Sequence, residues 1–389
     1  MRFFLGLALG LTAAVAAPAV GDTFQDTGDA NDTDFARFTR GDTGASGGPW
    51  SVSEGRILTP AGEPLRCRGL NWYGFETETH AAHGPWTGRS YEALMDDVAA
   101  QGFDCLRVPV SPESIQGDAP AAEWAWTWGM TGPEVLRTFL ELAEERDLTV
   151  FLSFHTYDDA LQGGALPGRP WGPTPDGRAY TPDDWTADLT ALAELTEGLS
   201  NVAMIGLANE PYAMSWAEWE AASLQGARAV ARGNPDLLVG VAGVGGDASD
   251  AGGYEVNWGA NLSKADPERF REFQDRLVFE THVYPPGAHR LRHHGRVKQE
   301  DVWRAQWGHL AEAGYAVMIG EVGGAWSSRE DREWARELGR YTAWAGVENI
   351  FAWCLNPHSN WGEGLLMSND TWRGWHEHKL AALEPILPD

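Results

Sequence analysis

Three cysteines and three lysines (Lys264, Lys298, Lys379) are all that the 389 residues hold of either type. Three cysteines cannot all be paired with one another, so no disulfide framework organises this chain. At least one of Cys67, Cys105 and Cys354 is free, and a bridge between two of them stays open. Cys105 and Cys354 lie in strand-like runs and are expected as small buried hydrophobes. Basic residues are scarce as well: 29 Lys and Arg stand against 56 Asp and Glu, a formal charge of -27. Such a surface repels phosphate backbones and anionic lipid, which excludes nucleic acid and membrane as partners. Acidic excess with so little lysine reads either as a halophilic-like surface, suited to salt that screens repulsion, or as the arginine preference of a GC-rich genome. Apart from the first residues, no run is apolar enough to span a bilayer.

Those first residues, "MRFFLGLALGLTAAVAAPAVG", combine one early positive charge, a short apolar run and an Ala-rich exit. This is the pattern of a cleaved signal peptide over 1–21, so the mature protein is expected to be secreted. Residues 22–48 are rich in Asp, Thr and Gly, bury little, and are expected as a flexible acidic linker. Their aspartates do not follow a calcium-loop pattern.

With 43% hydrophobic residues the remainder, 49–389, can bury a large core. Along it, eight short β-branched runs alternate with amphipathic stretches: residues 68–75, 104–110, 149–155, 202–210, 237–243, 277–284, 316–323 and 349–356. Strands alternating with helices imply parallel pairing through crossover helices. Eight units of this length fit an α/β fold of the (β/α)8 TIM-barrel type, as one domain, better than an open sheet, which would more often carry a Gly-rich turn after its first strand.

In such a barrel, reactive groups stand at the carboxyl ends of the strands. There the sequence places Asn71, Trp72 and Glu76, then Arg107, His155, Asn209 with Glu210, His282 with Tyr284, Glu321, and Trp353 with Asn356. Glu210 by itself has a plainer reading, as the N-cap or first-turn residue of the following helix. Paired with Glu321, it suggests cleavage of a glycosidic bond. That reaction needs one acid to protonate the leaving oxygen and one carboxylate to attack the anomeric carbon or activate water. Asn209 suits a sugar 2-hydroxyl, and Arg107 and Tyr284 suit holding Glu321 ionised and oriented. Of the 20 tryptophans, Trp72, Trp353 and Trp361 are expected to stack on sugar, with Trp86, Trp258 and Trp326 as further candidates and Trp124, Trp126 and Trp128 in a cleft-widening loop.

The ordered set "DCLRVPVS", "FLSFH", "NEP", "HVY", "GE" and "FAWCLNP" resembles glycoside hydrolase family 5, from about Gly69 to Trp375. "RGLNWYGFETET", "NWGANL" and "NPHSNWGEGLL" look like its cellulase branch, the endo-β-1,4-glucanases. The resemblance implies a retaining enzyme with Glu210 as acid/base and Glu321 as nucleophile. Arg107, His155, Asn209, His282, Tyr284 and Trp353 become the supporting set, and a β-linked glucan polysaccharide or oligosaccharide the partner of a monomer. Two departures stand out. Ser153 occupies a place where this branch usually has Asp, and "SNWGEG" replaces a loop that tends to read "SGDTGG". They leave other β-glycans open: mannan, xyloglucan or mixed-linkage glucan.

The histidines of "HAAH", "HH" and "HEH" match no zinc motif, so no metal and no cofactor is expected. A metal-dependent amidohydrolase and a non-catalytic glycan-binding barrel are the readings from other classes. The first lacks paired metal-binding histidines, and the second leaves two carboxylates unexplained.

Overall fold

A computed structural model of the chain describes residues 48–117, 120–124, 127–158, 169–212, 214–245, 253–358 and 363–388. The expected signal peptide, nearly all of the linker, Trp126 and Trp361 lie outside them.

The eight runs form a closed parallel barrel. Its strands are β1 (Cys67–Asn71), β2 (Cys105–Val110), β3 (Thr149–Phe154), β4 (Val202–Gly206), β5 (Leu238–Ala242), β6 (Leu277–Val283), β7 (Val317–Val322) and β8 (Asn349–Ala352). Each pairs with its neighbours in chain order, and β8 closes on β1. Around it lie α1 (Tyr91–Ala100), α2 (Gly132–Glu144), α3 (Pro182–Leu195), α4 (Trp216–Gly233), α5 (Gln299–Trp303), α6 (His309–Glu312), α7 (Arg329–Ala345) and α8 (Glu377–Leu383). A π-turn over Arg304–Gly308 joins α5 to α6. Between β5 and β6 the described residues hold a 3-10 segment, Pro267–Phe273, in place of a full crossover helix.

Helix starts follow local chemistry. The hydroxyl residues Thr131, Thr181 and Ser215 form capping boxes with Glu134, Asp184 and Glu218, satisfying amides that the first turn leaves unpaired. The Ser215 cap also answers the plainer reading of Glu210. Helix α4 starts at Trp216, so Glu210 lies outside its first turn and is free for another task.

Strand periodicity divides the side chains into two sets. Leu70, Leu106, Val108, Val150, Leu152 and Ile205 face the helices in the larger core cluster. Facing inward at the amino-terminal end are Cys67, Cys105, Phe151, Met204, Leu238, Val278, Met318 and Phe351, which fill the barrel floor. Ile57, from the hairpin Ser51–Ser53/Arg56–Leu58, and Trp50, just before it, close the floor from below. Cys67 and Cys105 are joined across β1 and β2 with Cα atoms 5.5 Å apart, while Cys354 is free and buried. Cys105 is therefore half of a bridge, not a free hydrophobe. Closing a segment of 38 residues is worth about 3–4 kcal/mol in the chain-entropy model.

Candidate active site

The same inward-facing period carries polar residues one and two layers above the floor. Arg107 follows Cys105 on β2; Ser153 and His155 follow Phe151; Glu280 and His282 follow Val278 on β6. Arg107 is 1% exposed and ties this layer together. Its Nη1 donates to Asn71 Oδ1 at 2.8 Å and to Glu321 Oε1 at 2.9 Å. Its Nη2 donates to Ser153 Oγ and Asn209 Oδ1, each at 2.9 Å, and pairs with Glu280 Oε1 at 2.7 Å. The four N–H bonds of its two terminal nitrogens thus serve five acceptors, so at least one of them is shared.

Glu321, at the end of β7, takes its second bond from the Tyr284 hydroxyl, which donates to Oε2 at 2.5 Å. Burial pushes the Glu321 carboxyl above the usual range and Glu210 adds to this, while His282, Arg107 and the Tyr284 hydroxyl favour its ionised form. Tyr284 is itself held well above the usual tyrosine range by burial and by Glu321, so it remains a donor.

Glu210 lies across the mouth from Glu321. Its backbone φ is +45°, a left-handed conformation that costs a non-glycine residue about 1–3 kcal/mol. The segment is pinned on both sides, by Asn209 N donating to Phe154 O at 2.8 Å and Gly245 N to Pro211 O at 2.7 Å. The Glu210 carboxylate meets His282 Nδ1 at 2.7 Å, and the same nitrogen lies 3.6 Å from Glu321 Oε2. One oxygen of each of the two glutamates falls within 4.8 Å of the other. The motif "NWGANL" supplies the wall behind them. Gly259 has φ +71°, and a Cβ there would stand 3.0 Å from the His282 ring and 3.1 Å from Glu210 Cγ. Only glycine fits both the conformation and the space.

His282 is fully buried, with a carboxylate at each ring nitrogen: Glu210 at Nδ1 and Glu280 at Nε2, the latter at 3.2 Å. Burial alone disfavours a charged ring, but Glu321, Glu210 and Glu280 outweigh it and raise its pKa to about 9. His155 behaves oppositely. Burial, reinforced by the cations Arg107 and His282, holds it well below the usual range, so the ring is neutral. Asn209 orients that ring: its Oδ1 is taken by Arg107, which turns Nδ2 toward His155 Nε2 at 3.2 Å and leaves the proton on Nδ1.

Arg107, His155, Asn209, Glu210, His282, Tyr284 and Glu321 thus form one connected cluster. Trp353 borders it, its ring stacked at 6.0 Å on His155 and at 6.0 Å on Tyr73. Trp72 does not reach the cleft. Asn71 points inward, so the next side chain points outward, and Trp72 is fully buried against Tyr91 and Phe139. Tyr73 holds the cleft position instead, its backbone exchanging hydrogen bonds with the Asn356 side chain. Trp326 is likewise buried, 1% exposed, beside Trp334. Trp86 is 42% exposed and lies 5.7 Å from Trp124, and Trp258 stands 4.9 Å from Tyr212. Trp128 is 71% exposed. The residue that sequence reasoning missed is Glu280. Its signal was the alternation in "LVFETHVY", which puts Glu280 on the same face as His282.

A parallel eight-stranded barrel with two adjacent carboxylates and their cations at its carboxyl-terminal mouth has the groups that glycosidic bond cleavage needs. The family model described as cellulase (glycosyl hydrolase family 5) matches residues 59–359. The chain belongs to that family and is a glycoside hydrolase. Among curated relatives, the major extracellular endoglucanase of Xanthomonas campestris pv. campestris is 26% identical over 356 residues, covering 87% of this chain and 71% of that protein. An endoglucanase of Paenibacillus polymyxa is 25% identical, with 87% of each covered. Endoglucanase C of Cellvibrio japonicus is 24% identical, and the match spans 84% of this chain but 60% of that longer protein. The solved catalytic domain of the Xanthomonas enzyme superposes with a TM-score of 0.75 at 25% identity, over 87% of this chain and 99% of that one. A cellotetraose complex of a Pyrococcus horikoshii endocellulase shares the fold, with a TM-score of 0.76 at 23% identity, over 87% and 98%.

Proposed function

We propose that this chain is a secreted endo-β-1,4-glucanase that cleaves with retention of anomeric configuration. The observation that carries the reading is the pair Glu210 and Glu321, whose oxygens approach within 4.8 Å. Double displacement calls for two carboxyl groups about 5–5.5 Å apart flanking the scissile bond, and this proximity supports such a pairing.

In the first step Glu321 attacks the anomeric carbon as Glu210 gives its proton to the departing glycosidic oxygen. The C–O bond breaks and an ester forms between the sugar and Glu321. In the second step Glu210, now ionised, removes a proton from water. The water attacks the same carbon, and the ester bond breaks to return Glu321 as a carboxylate. Arg107 and Tyr284 hold Glu321 in line, and the remaining Asn209 N–H suits the 2-hydroxyl, a bond that strengthens in the transition state. Trp353 and Tyr73 offer flat faces for glucosyl rings.

The endoglucanase names of the relatives and the cellotetraose held by a structural neighbour support glucan as the substrate. The N-terminal pattern of residues 1–21 and the extracellular location in the name of the Xanthomonas relative support secretion. Among the described residues no helix is long and apolar enough to cross a membrane.

A panel of soluble β-glycans, with products sized by mass, tests the substrate. The reading predicts the fastest cleavage on carboxymethyl cellulose, with an early mixture of cello-oligosaccharides that marks internal attack. Faster cleavage of mannan or xyloglucan with no action on β-1,4-glucan would overturn the glucanase assignment.

A further inference from the structure

A third carboxylate lies beneath the two proposed for the reaction, and neither step uses it. Glu280 is 1% exposed in the inward-facing row of β6. An isolated carboxylate at such depth would cost several kcal/mol, so its neighbours must compensate. They do so through a single oxygen. Glu280 Oε1 meets Arg107 Nη2 at 2.7 Å and His282 Nε2 at 3.2 Å. These two nitrogens are only 3.4 Å apart. With His282 protonated, that contact sets two cations side by side, and the shared oxygen of Glu280 is what makes their proximity favourable.

The barrel is cut to admit this side chain. A Cβ on Gly206 of β4 would stand 3.2 Å from Glu280 Oε2, and one on Gly320 of β7 would overlap Oε1. Across the barrel, Ser153 of β3 offers Arg107 Nη2 only a hydroxyl, at 2.9 Å. The carboxylate on that guanidinium nitrogen therefore comes from β6 and not from β3.

We propose that Glu280 is a positioning residue of the reaction, whose carboxylate holds Arg107 against Glu321 and His282 against Glu210 and sets the charge of the cluster. The inference rests on the roles proposed for Glu210 and Glu321. Counting charge shows why the position matters. Arg107 and His282 carry two positive charges, and Glu280 supplies one of the negative charges that balance them. Without Glu280 both cations act on Glu321 and Glu210 alone. That binds the Glu321 carboxylate more tightly to Arg107 and His282 and weakens it as a nucleophile. Arg107 and His282 hold the Glu280 carboxyl below the usual range despite its burial, so it supplies that negative charge across the working pH.

The groups that bear on this balance are Arg107 from β2, neutral His155 beyond β3, Glu210 beyond β4, His282 from β6 with Tyr284 beyond it, and Glu321 from β7, with Glu76 near Glu321 and raised to about 7 by burial. β5 contributes no titratable side chain to the barrel at this level.

The test compares Glu280→Gln, Glu280→Asp, and the double variant Ser153→Asp with Glu280→Gln. Each is checked for folding by thermal unfolding and assayed on a soluble cello-oligosaccharide across pH. Glu280→Gln is expected to lower kcat by about 10²-fold, leave KM within threefold, and move the basic limb of the pH profile to lower pH. The sign follows because removing the Glu280 charge makes His282 release its proton more readily. Glu280→Asp is expected to keep the limb in place with a smaller loss. The double variant is expected to regain about tenfold or more in kcat, because the Ser153→Asp change would return a carboxylate to Arg107 Nη2.

A folded Glu280→Gln protein with kcat within twofold of the parent and an unmoved limb would overturn the inference. If Glu280→Gln does not fold, the double variant decides, since a folded double variant without activity would overturn it equally. Glu321→Gln is assayed in parallel: activity surviving there would sink the reading of the pair itself, whereas loss there with an unaffected Glu280→Gln would sink only the inference.

Discussion

A Glu321→Gln protein is expected to fold, bind cello-oligosaccharide close to normally, and turn it over at roughly one ten-thousandth of the parent rate or less. The physical reason lies in what the amide lacks. Gln cannot form the glycosyl ester, because a neutral amide oxygen is a poor nucleophile. The substitution is nearly isosteric, and its surroundings can accept it. The amide oxygen turns to Arg107 Nη1, which donates to Oε1 at 2.9 Å in the native chain, and the amide nitrogen turns to the Tyr284 hydroxyl, which then accepts. Arg107 keeps its ion pair with Glu280, so the guanidinium is not left without a counter-charge. Calorimetric binding of cellotetraose measured beside kcat separates the two effects. A loss of less than tenfold in kcat would remove Glu321 from the nucleophile's role.

The Glu210→Ala protein is expected to fail differently, and the difference identifies its role. On a natural glucan, where the leaving oxygen needs a proton, kcat falls by about 10²–10⁴-fold. On an aryl cellobioside with a strongly acidic phenol the leaving group departs without help, so the ester on Glu321 forms and then persists, because no base remains to activate water. A burst of phenol followed by slow turnover is the expected trace. Azide needs no base. It attacks the anomeric carbon of the ester, displaces the Glu321 carboxylate, and is expected to restore turnover with a β-glycosyl azide as product. Absence of azide rescue, or an α-glycosyl azide, would contradict the assignment of Glu210. The truncation leaves His282 Nδ1 without its nearest partner, so the variant's fold is checked by thermal unfolding.

The barrel was legible because its strands announce themselves twice, by β-branched composition and by spacing. The pair Glu210 and Glu321 followed from strand ends alone, since the fold fixes which ends share a rim. What escaped was side-chain direction within a strand. Trp72 follows inward-facing Asn71, and strict alternation sends it to the helices, although its place at a strand end points to the cleft. Glu280 was hidden for the converse reason. A lone acid within an aliphatic run reads as a rim or solvent residue until the register shows it two places below His282 on the inner face. The bridge between Cys67 and Cys105 depends on how β1 lies beside β2, with Cys105 opposite Gly69 and two residues from Cys67, which composition cannot supply. Glu210's left-handed backbone is likewise a product of the tertiary frame. It exists because hydrogen bonds from Asn209 and to Pro211 hold the segment on either side.

The central claim, that Glu210 and Glu321 act as acid/base and nucleophile in a double displacement, is tested most directly by the anomeric form of the first product. Proton NMR of a cello-oligosaccharide digest, recorded within minutes of adding the enzyme and before mutarotation, is predicted to show the β-anomer of the newly formed reducing end accumulating first. Initial accumulation of the α-anomer would mean inversion, and would contradict the account.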